Sequence, residues 1–289
     1  MIFLTKVKYL LSSLRKQVVR EGFSCPSCGH PESRKVDQKM MVTALRRCLN
    51  CRLLFRTPTT SDEENRRFYQ REYTENFTMV PDRQQLEDLL KTSFVVSHGR
   101  NYNISHYINI LNAFGHKTGN RLLDFGCSWG YNSWQLQKAG YQVQGYDISK
   151  ARSAYAREHL GVDVVCSLEK IQGPFDIFFC VNVIEHVPSV SGMIALAWSV
   201  LKPGGLFLTM TCNGSDESRR IDPERWRKWW GHVHPQLLDD AFYERTFSSH
   251  CYLLASNPYD MEAIRSWDGT SSRKLDVGGP ELLIAVRRD

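Results

Sequence analysis

Three groups of residues in this 289-residue chain have types and spacings suited to chemistry. Cys25-Pro-Ser-Cys28 and Cys48-Leu-Asn-Cys51 are two Cys-x-x-Cys pairs separated by 19 residues. Each such turn can set two sulfurs ~2.3 Å from a tetrahedral ion, and two turns complete the shell with no place left for a reactive water. Cys25, Cys28, Cys48 and Cys51 are therefore expected to hold a structural Zn2+. In the second group, Arg121-Leu-Leu-Asp-Phe-Gly-Cys-Ser-Trp-Gly130 reads as an apolar strand broken by a glycine turn, and a helical pattern resumes at Asn132 to Lys138. Strand, glycine turn and helix make a nucleotide-binding entry, with the backbone at Gly126 and Gly130 passing close to a ligand. A second strand, Gln142 to Tyr146, ends in Asp147, whose carboxylate can accept from both hydroxyls of a ribose. The third group is Trp226-Arg-Lys-Trp-Trp-Gly-His-Val-His-Pro235, where His234, with His232 close by, offers an imidazole that titrates near neutral pH and can take a proton.

These groups need elements to position them. The length suits one main core plus a small satellite, and 42% hydrophobic with 24% charged residues is the composition of a packed globular chain. Residues 1–22 read as an amphipathic helix, with Phe3, Val7, Leu10, Leu14 and Val18 on one stripe. Docking of that stripe on the protein itself is expected, with peripheral membrane contact as the alternative. Residues 23–57 form the zinc ribbon, too short and polar to bury a core of their own, and so dependent on the metal. Residues 58–118 are polar and helical in pattern, broken at Pro81, and read as a linker that becomes a cap over the next domain, residues 119–289. No apolar stretch reaches the ~20 residues of a membrane span. Nine cysteines without an export signal point to reduced thiols in the cytoplasm, and the five outside the ribbon read as small buried hydrophobes. Residues 1–56 carry 12 Lys and Arg against Glu21, Glu32 and Asp37, a local charge of +9 in a chain of net +6. That basic ribbon suits RNA docking, which ranks below a small-molecule role because bound zinc thiolates reduce the excess.

Leu122 to Gly130 with Asp147 resembles the first motif and second-strand acid of class I S-adenosylmethionine-dependent methyltransferases, apart from Ser128 where glycine is usual. Pro174-Phe-Asp-Ile-Phe-Phe-Cys-Val-Asn-Val-Ile-Glu-His-Val-Pro188 resembles the fourth strand and following loop of that family, including its Glu-His pair. Leu201-Lys-Pro-Gly-Gly-Leu-Phe-Leu-Thr-Met-Thr211 resembles the turn and fifth strand, with Pro203, Gly204 and Gly205 reversing the chain. The resemblance covers about Arg121 to Asp289. It implies an α/β, Rossmann-like seven-stranded sheet whose last strand, Glu281 to Arg287, inserts antiparallel beside the sixth, Cys251 to Ser256. It also implies that Asp124, Gly126, Cys127 and Gly130 cradle the methionine part of the cofactor, and that Asp147 takes the ribose. Ile148 with Ser167 and Leu168 would meet the adenine, and Asn182 and His186 would line the site after strand four.

Methyl transfer is an in-line displacement at a sulfonium carbon, so alignment of donor and acceptor is the enzyme's main contribution. An oxygen or carbon acceptor also needs a proton removed. Methyltransferases that join a zinc ribbon to this core, deoxysugar C-methyltransferases among them, are similar in carrying a His-containing segment before the helix that follows strand five. The expected acceptor is accordingly a sugar nucleotide, glycan or related metabolite, with Tyr69 and Tyr73 of the cap within reach of it. RNA methylation is the second reading, and a zinc-ribbon binding protein with an inactive core the third. Amino methylation of a nucleobase is disfavoured, because Asn182-Val-Ile-Glu185 stands where an Asn/Asp-Pro-Pro-aromatic motif would be needed.

Overall fold

The computed structural model describes residues 2–72, 80–95 and 102–289. Helix α1, Ile2–Val18, is followed by a three-stranded meander, β1 Ser33–Lys39, β2 Thr43–Cys48 and β3 Leu54–Thr57. The cap comprises α2, Asp62–Arg67, which runs on into a π-turn at Phe68–Glu72, then α3, Arg83–Lys91, and α4, Ser105–Ala113. Ser61 and Asp82 start α2 and α3 with reciprocal capping boxes to Glu64 and Gln85. The alternating domain then runs β4 Arg121–Phe125, α5 Tyr131–Lys138, β5 Gln142–Tyr146, α6 Lys150–Leu160, β6 Val164–Val165, β7 Phe175–Val181, α7 Val190–Val200 and β8 Leu201–Cys212. It closes with α8 Asp216–Ile221, α9 Pro223–Trp229, β9 Gln236–Leu237, α10 Asp240–Thr246, β10 Tyr252–Ser256, α11 Met261–Arg265, β11 Arg273–Lys274 and β12 Glu281–Arg287.

The large sheet has the order β11-β10-β12-β8-β7-β4-β5-β6, and β12 is antiparallel to both β10 and β8. This is the expected seven-stranded sheet with its inverted last strand, extended by the two-residue edge strand β11, parallel to β10. Strand order reverses between β4 and β7, so the carboxyl ends of β4 and β5 open onto the crevice where such sheets bind ligands. Phe178, Phe179, Leu123 and Leu208 are fully buried on the central strands, as sheets covered on both faces require.

Three local expectations change. Pro203-Gly-Gly205 does not reverse the chain. Strand pairing passes from Phe175 opposite Leu201 to Ile177 opposite Leu206, so the segment from Lys202 to Gly205, exposed up to Gly204, is a bulge inside β8. Arg288 anchors it, through Gly204 N–H to its carbonyl at 2.8 Å and its own N–H to Gly205 at 2.9 Å. Second, the helix expected after the His-containing segment does not follow it directly but begins at Asp240, where Asp239 caps it by accepting from Phe242 N–H at 2.8 Å. Gln236 and Leu237 instead pair antiparallel with Phe55 and Leu54, adding a fourth strand to the ribbon meander. Third, the apolar stripe of α1 is not its docking face. Leu14 and Val18 are 46% and 84% exposed, while Ser13 and Lys16 are buried, with Lys16 Nζ donating to Thr59 O at 2.8 Å and to Glu64 at 2.5 Å. Phe3 and Val7 lie where side chains are not described.

The ribbon's core is borrowed. Leu53 and Phe55 join the main apolar cluster, and Leu45 and Leu54 pack with Trp226, Trp230 and Leu237 from the segment after β8. Gly130, the N-cap of α5, has φ +86, and a Cβ there would stand 2.7 Å from Ala156 Cβ on α6. A Gly130→Ala chain should lose about 1–3 kcal/mol from combined backbone strain and overpacking. Urea unfolding measures this, and an unshifted midpoint would refute a packing role for the glycine.

Candidate active site

The turn after β4 is held by the end of β5. Gly126 N–H and Cys127 N–H both donate to Tyr146 O, at 2.7 and 2.9 Å. Asp147 then clamps two loops at once: one carboxylate oxygen accepts from Ser128 N–H and the other from Ser149 N–H, each at 2.8 Å. Ser128, the departure from glycine, takes φ +55, and its hydroxyl accepts from the buried Arg152 guanidinium at 2.8 Å. Its side chain thereby ties the turn to α6. Burial pushes the Asp147 carboxyl up to about 6, against the pull of the Ser149 N–H and the Arg152 charge. Gly126 has φ +82, and a Cβ on it would stand 2.3 Å from the Val183 side chain, so backbone conformation and the valine after β7 both favour glycine here.

Above this turn lies a cleft of about 810 Å³, within the size range of small-molecule sites. Of the residues anticipated for the cofactor, Gly126, Asp147, Ile148, Ser167, Leu168, Asn182 and His186 line it. Asp124, Cys127 and Gly130 are among the supports beneath. Asp124 is buried against Ser133, whose hydroxyl donates to it at 2.6 Å, and burial lifts its carboxyl to about 7. Cys127 is 1% exposed and lies below the turn, where a Cβ on Gly145 would stand 2.8 Å from its sulfur.

The facing wall comes from the cap, through Asn65, Arg66, Tyr69, Gln70 and the stretch from Tyr102 to Tyr107. Asn65 Nδ2 donates to His186 O at 2.8 Å and Gln70 Nε2 to Ile148 O at 2.5 Å, so the cap is pinned to both loops of the crevice. Sequence reading singled out Tyr69 in this wall, but gave no part to Asn65 or Gln70, whose bonds link positions 121 and 78 apart. It also gave none to Trp129, fully buried among Phe94, Tyr102, Tyr131 and Tyr155 where cap meets turn. An aromatic directly before Gly130 was the one available signal. Tyr73 lies outside the described residues.

The histidines separate. His186 lines the cleft, and its Nδ1 is 2.8 Å from Val233 O. His234 packs edge-to-face behind it, ring centroids 4.6 Å apart, with its own Nδ1 2.6 Å from Trp229 O. A carbonyl can only accept, so in the neutral rings both Nδ1 atoms carry the proton and both Nε2 lone pairs stay open. Buried Glu185 lies 3.8 Å from His186 Nε2, and the polar atoms of Glu185, His186 and His234 lie within 4.8 Å of one another. Burial and the neighbouring His234 lower His186 to about 3, so its ring is neutral at physiological pH. His232 faces another way, against Tyr9 and Phe68 at 4.4 and 5.1 Å between ring centroids. The bend at Gly231 to Val233 sends two histidines two residues apart into different cavities.

At the far end of the ribbon, Cys25 and Cys51 sulfurs are 3.5 Å apart and those of Cys28 and Cys48 3.6 Å, with all four within 4.8 Å of one another. Thiolates ~2.3 Å from a tetrahedral ion stand ~3.8 Å apart, so this set fits zinc. His30 is not in the cluster and turns towards Glu32, 3.9 Å away.

Residues 97–251, more than half of the chain, match the family described as "Methyltransferase domain". A ubiquinone biosynthesis O-methyltransferase of Burkholderia ambifaria is 33% identical over 113 residues, which is 36% of this chain and 49% of that protein. One from Nitrosococcus oceani is 33% identical over 142 residues, 42% of this chain and 60% of that protein. The chain thus spans about half the length of the curated relatives it matches. Among solved structures, magnesium protoporphyrin IX methyltransferase from Synechocystis with bound SAH aligns with a TM-score of 0.50 at 15% identity, covering 79% of this chain and 100% of that one. Phosphoethanolamine N-methyltransferase 2 of Haemonchus contortus, solved with S-adenosyl-L-methionine, also gives 0.50, at 18% identity over 81% of this chain and 61% of that one. Both show the shared fold. Matched over most of its alternating core, and carrying a glycine turn and an acid at the ends of adjacent strands, the chain belongs to the class I S-adenosylmethionine-dependent methyltransferase family.

Proposed function

We propose that this protein transfers a methyl group from S-adenosylmethionine to a hydroxyl of a small-molecule acceptor, a sugar nucleotide, glycan or related metabolite. The observation that carries this is the division of one cleft into two walls: Gly126, Asp147 and Leu168 on the donor side, His186 with the cap residues Asn65 and Tyr69 on the other. Bound S-adenosylmethionine supplies an electrophilic methyl group on a sulfonium. Asp147 accepts from the ribose hydroxyls with the lone pairs left by Ser128 and Ser149, while Ile148 and Leu168 offer apolar surface to the adenine. The cap excludes water and orients the acceptor. His186 offers its open Nε2 lone pair to the acceptor hydroxyl, and Glu185, 3.8 Å away, offsets the charge that develops as the proton moves towards the ring, against the burial that disfavours it. An oxygen acceptor agrees with the O-methyltransferase names of the curated relatives and gives the imidazole pair its task. His232 is assigned elsewhere.

Calorimetry should show S-adenosylhomocysteine binding that weakens about 10–100-fold in Asp147→Ala, the cost of a hydrogen-bonding carboxylate. With Asp147 titrating near 6 and acting as its carboxylate, affinity should hold above that pH and fall as pH drops through it. Flat affinity from pH 7.5 to 5 would remove Asp147 from the ribose role. Labelled methyl should pass from cofactor to a small product in fractionated extract. Label that disappears on ribonuclease treatment would instead establish RNA as the acceptor.

We also assign a structural zinc to Cys25, Cys28, Cys48 and Cys51. The purified chain should carry about one zinc, and a chelator should release it and open residues 23–57 to protease. Full protease protection without release of metal would defeat the assignment.

A further inference from the structure

Beside the cleft, and sharing Asn65 and Tyr69 with it as walls, is a second cavity of about 130 Å³. It lies where all four parts of the chain meet: Lys16 on α1, Arg56 on β3 of the ribbon, Glu64 on α2 of the cap and His232 on the segment after α9. The space greatly exceeds the ~10–15 Å³ that one water needs, yet is too small for a nucleotide.

Its chemistry is that of a buried, unneutralised cation. Arg56 is 3% exposed, and no carboxylate lies within ion-pair distance of it among the described residues. Its guanidinium donates to Gly231 O at 3.3 Å and Thr60 Oγ1 at 2.5 Å and lies over the Tyr9 ring, while Nε has no partner. Both ring nitrogens of His232 are likewise without a hydrogen-bond partner. Lys16 is matched by Glu64 at 2.5 Å, so the excess charge is that of buried Arg56 together with Arg67, which lines the cavity from the exposed side. A buried guanidinium with idle donors is costly unless an anion meets it, and a planar fork with imidazole beside it suits the oxygens of a phosphoryl group.

We infer that this cavity binds a phosphoryl group of the methyl acceptor, with Arg56 and His232 as its donors, so that the rest of the acceptor passes Tyr69 into the cleft. The substrate class is then a phosphate or diphosphate ester. This rests on the methyl-transfer reading for the word acceptor, while the anion site stands on its own observations.

Inorganic pyrophosphate titrated into the full-length, zinc-loaded protein should bind once per chain. Arg56→Gln and His232→Leu should each weaken it at least 10-fold, and Arg56→Lys, which keeps the charge but loses the fork, should fall between. Circular dichroism and zinc content verify folding of each variant, with His232→Leu as the more conservative of the two removals. Absent binding, or variants that bind like the unaltered chain, would overturn the site. In the second arm, extract is treated with phosphatase and phosphodiesterase before methyl labelling. Loss of the labelled product is expected, and undiminished labelling would overturn the acceptor assignment. No labelling in untreated extract would count against methyl transfer alone, since the pyrophosphate result judges the pocket separately.

Discussion

Arg47 on β2 reaches out of the ribbon to Asp239, 2.5 Å away, at the start of α10, and both side chains are almost completely buried. Around this ion pair, Leu54 and Phe55 pair with Leu237 and Gln236, Trp230 Nε1 donates to Asp37 at 3.0 Å, and Lys39 lies over the Trp230 ring. Each buried charge alone would cost several kcal/mol, of the order of ~3–5, so the pair is tolerated only in the register that brings both together. Its contribution is to specify where the ribbon sits. Everything on the acceptor side follows from that seat: the cap runs on from β3, and the segment carrying His232 and His234 is stretched between α9 and β9.

The donor side obeys a different constraint. The turn after β4 is built from backbone N–H groups, and Asp147 and the Tyr146 carbonyl gather four of them, from Gly126, Cys127, Ser128 and Ser149. The carboxylate is therefore already fixed before any ribose meets it, and alignment costs little when a ligand arrives. Asp124, a strand residue in the same motif, is spent on holding α5 through Ser133. Two acids that look equivalent in the sequence face the cleft and a helix respectively.

The two cavities share walls at Asn65 and Tyr69 and differ in electrostatics. The large cleft pairs acidic Asp147 with neutral imidazole, while the small one concentrates an unmatched guanidinium. A molecule with an anionic end and a neutral reacting end fits that gradient.

The two Cys-x-x-Cys pairs, the strand-turn-helix at Leu122 to Gly130, the Asp147 acid and the alternation of the core were legible in the sequence, because each is set by neighbours a few residues apart. The inverted last strand was legible only through resemblance. The bulge in β8, the polar docking face of α1 and the pairing of Gln236 and Leu237 as β9 were not, since each depends on a distant partner: Arg288, Thr59 with Glu64, and Leu54 with Phe55. The histidines show the division most clearly. Spacing made His232 and His234 look like one site, but packing of His234 against His186 and of His232 against Tyr9 and Phe68 separated them. Arg56 itself was one basic residue among 12 in its segment, and only the fold, by closing a cavity over it and Gly231, 175 residues away, made its charge unusual. Local sequence determined the proposed donor site because backbone turns encode it, whereas tertiary structure decided the proposed acceptor cavity because it is assembled from four segments that meet only in the folded chain.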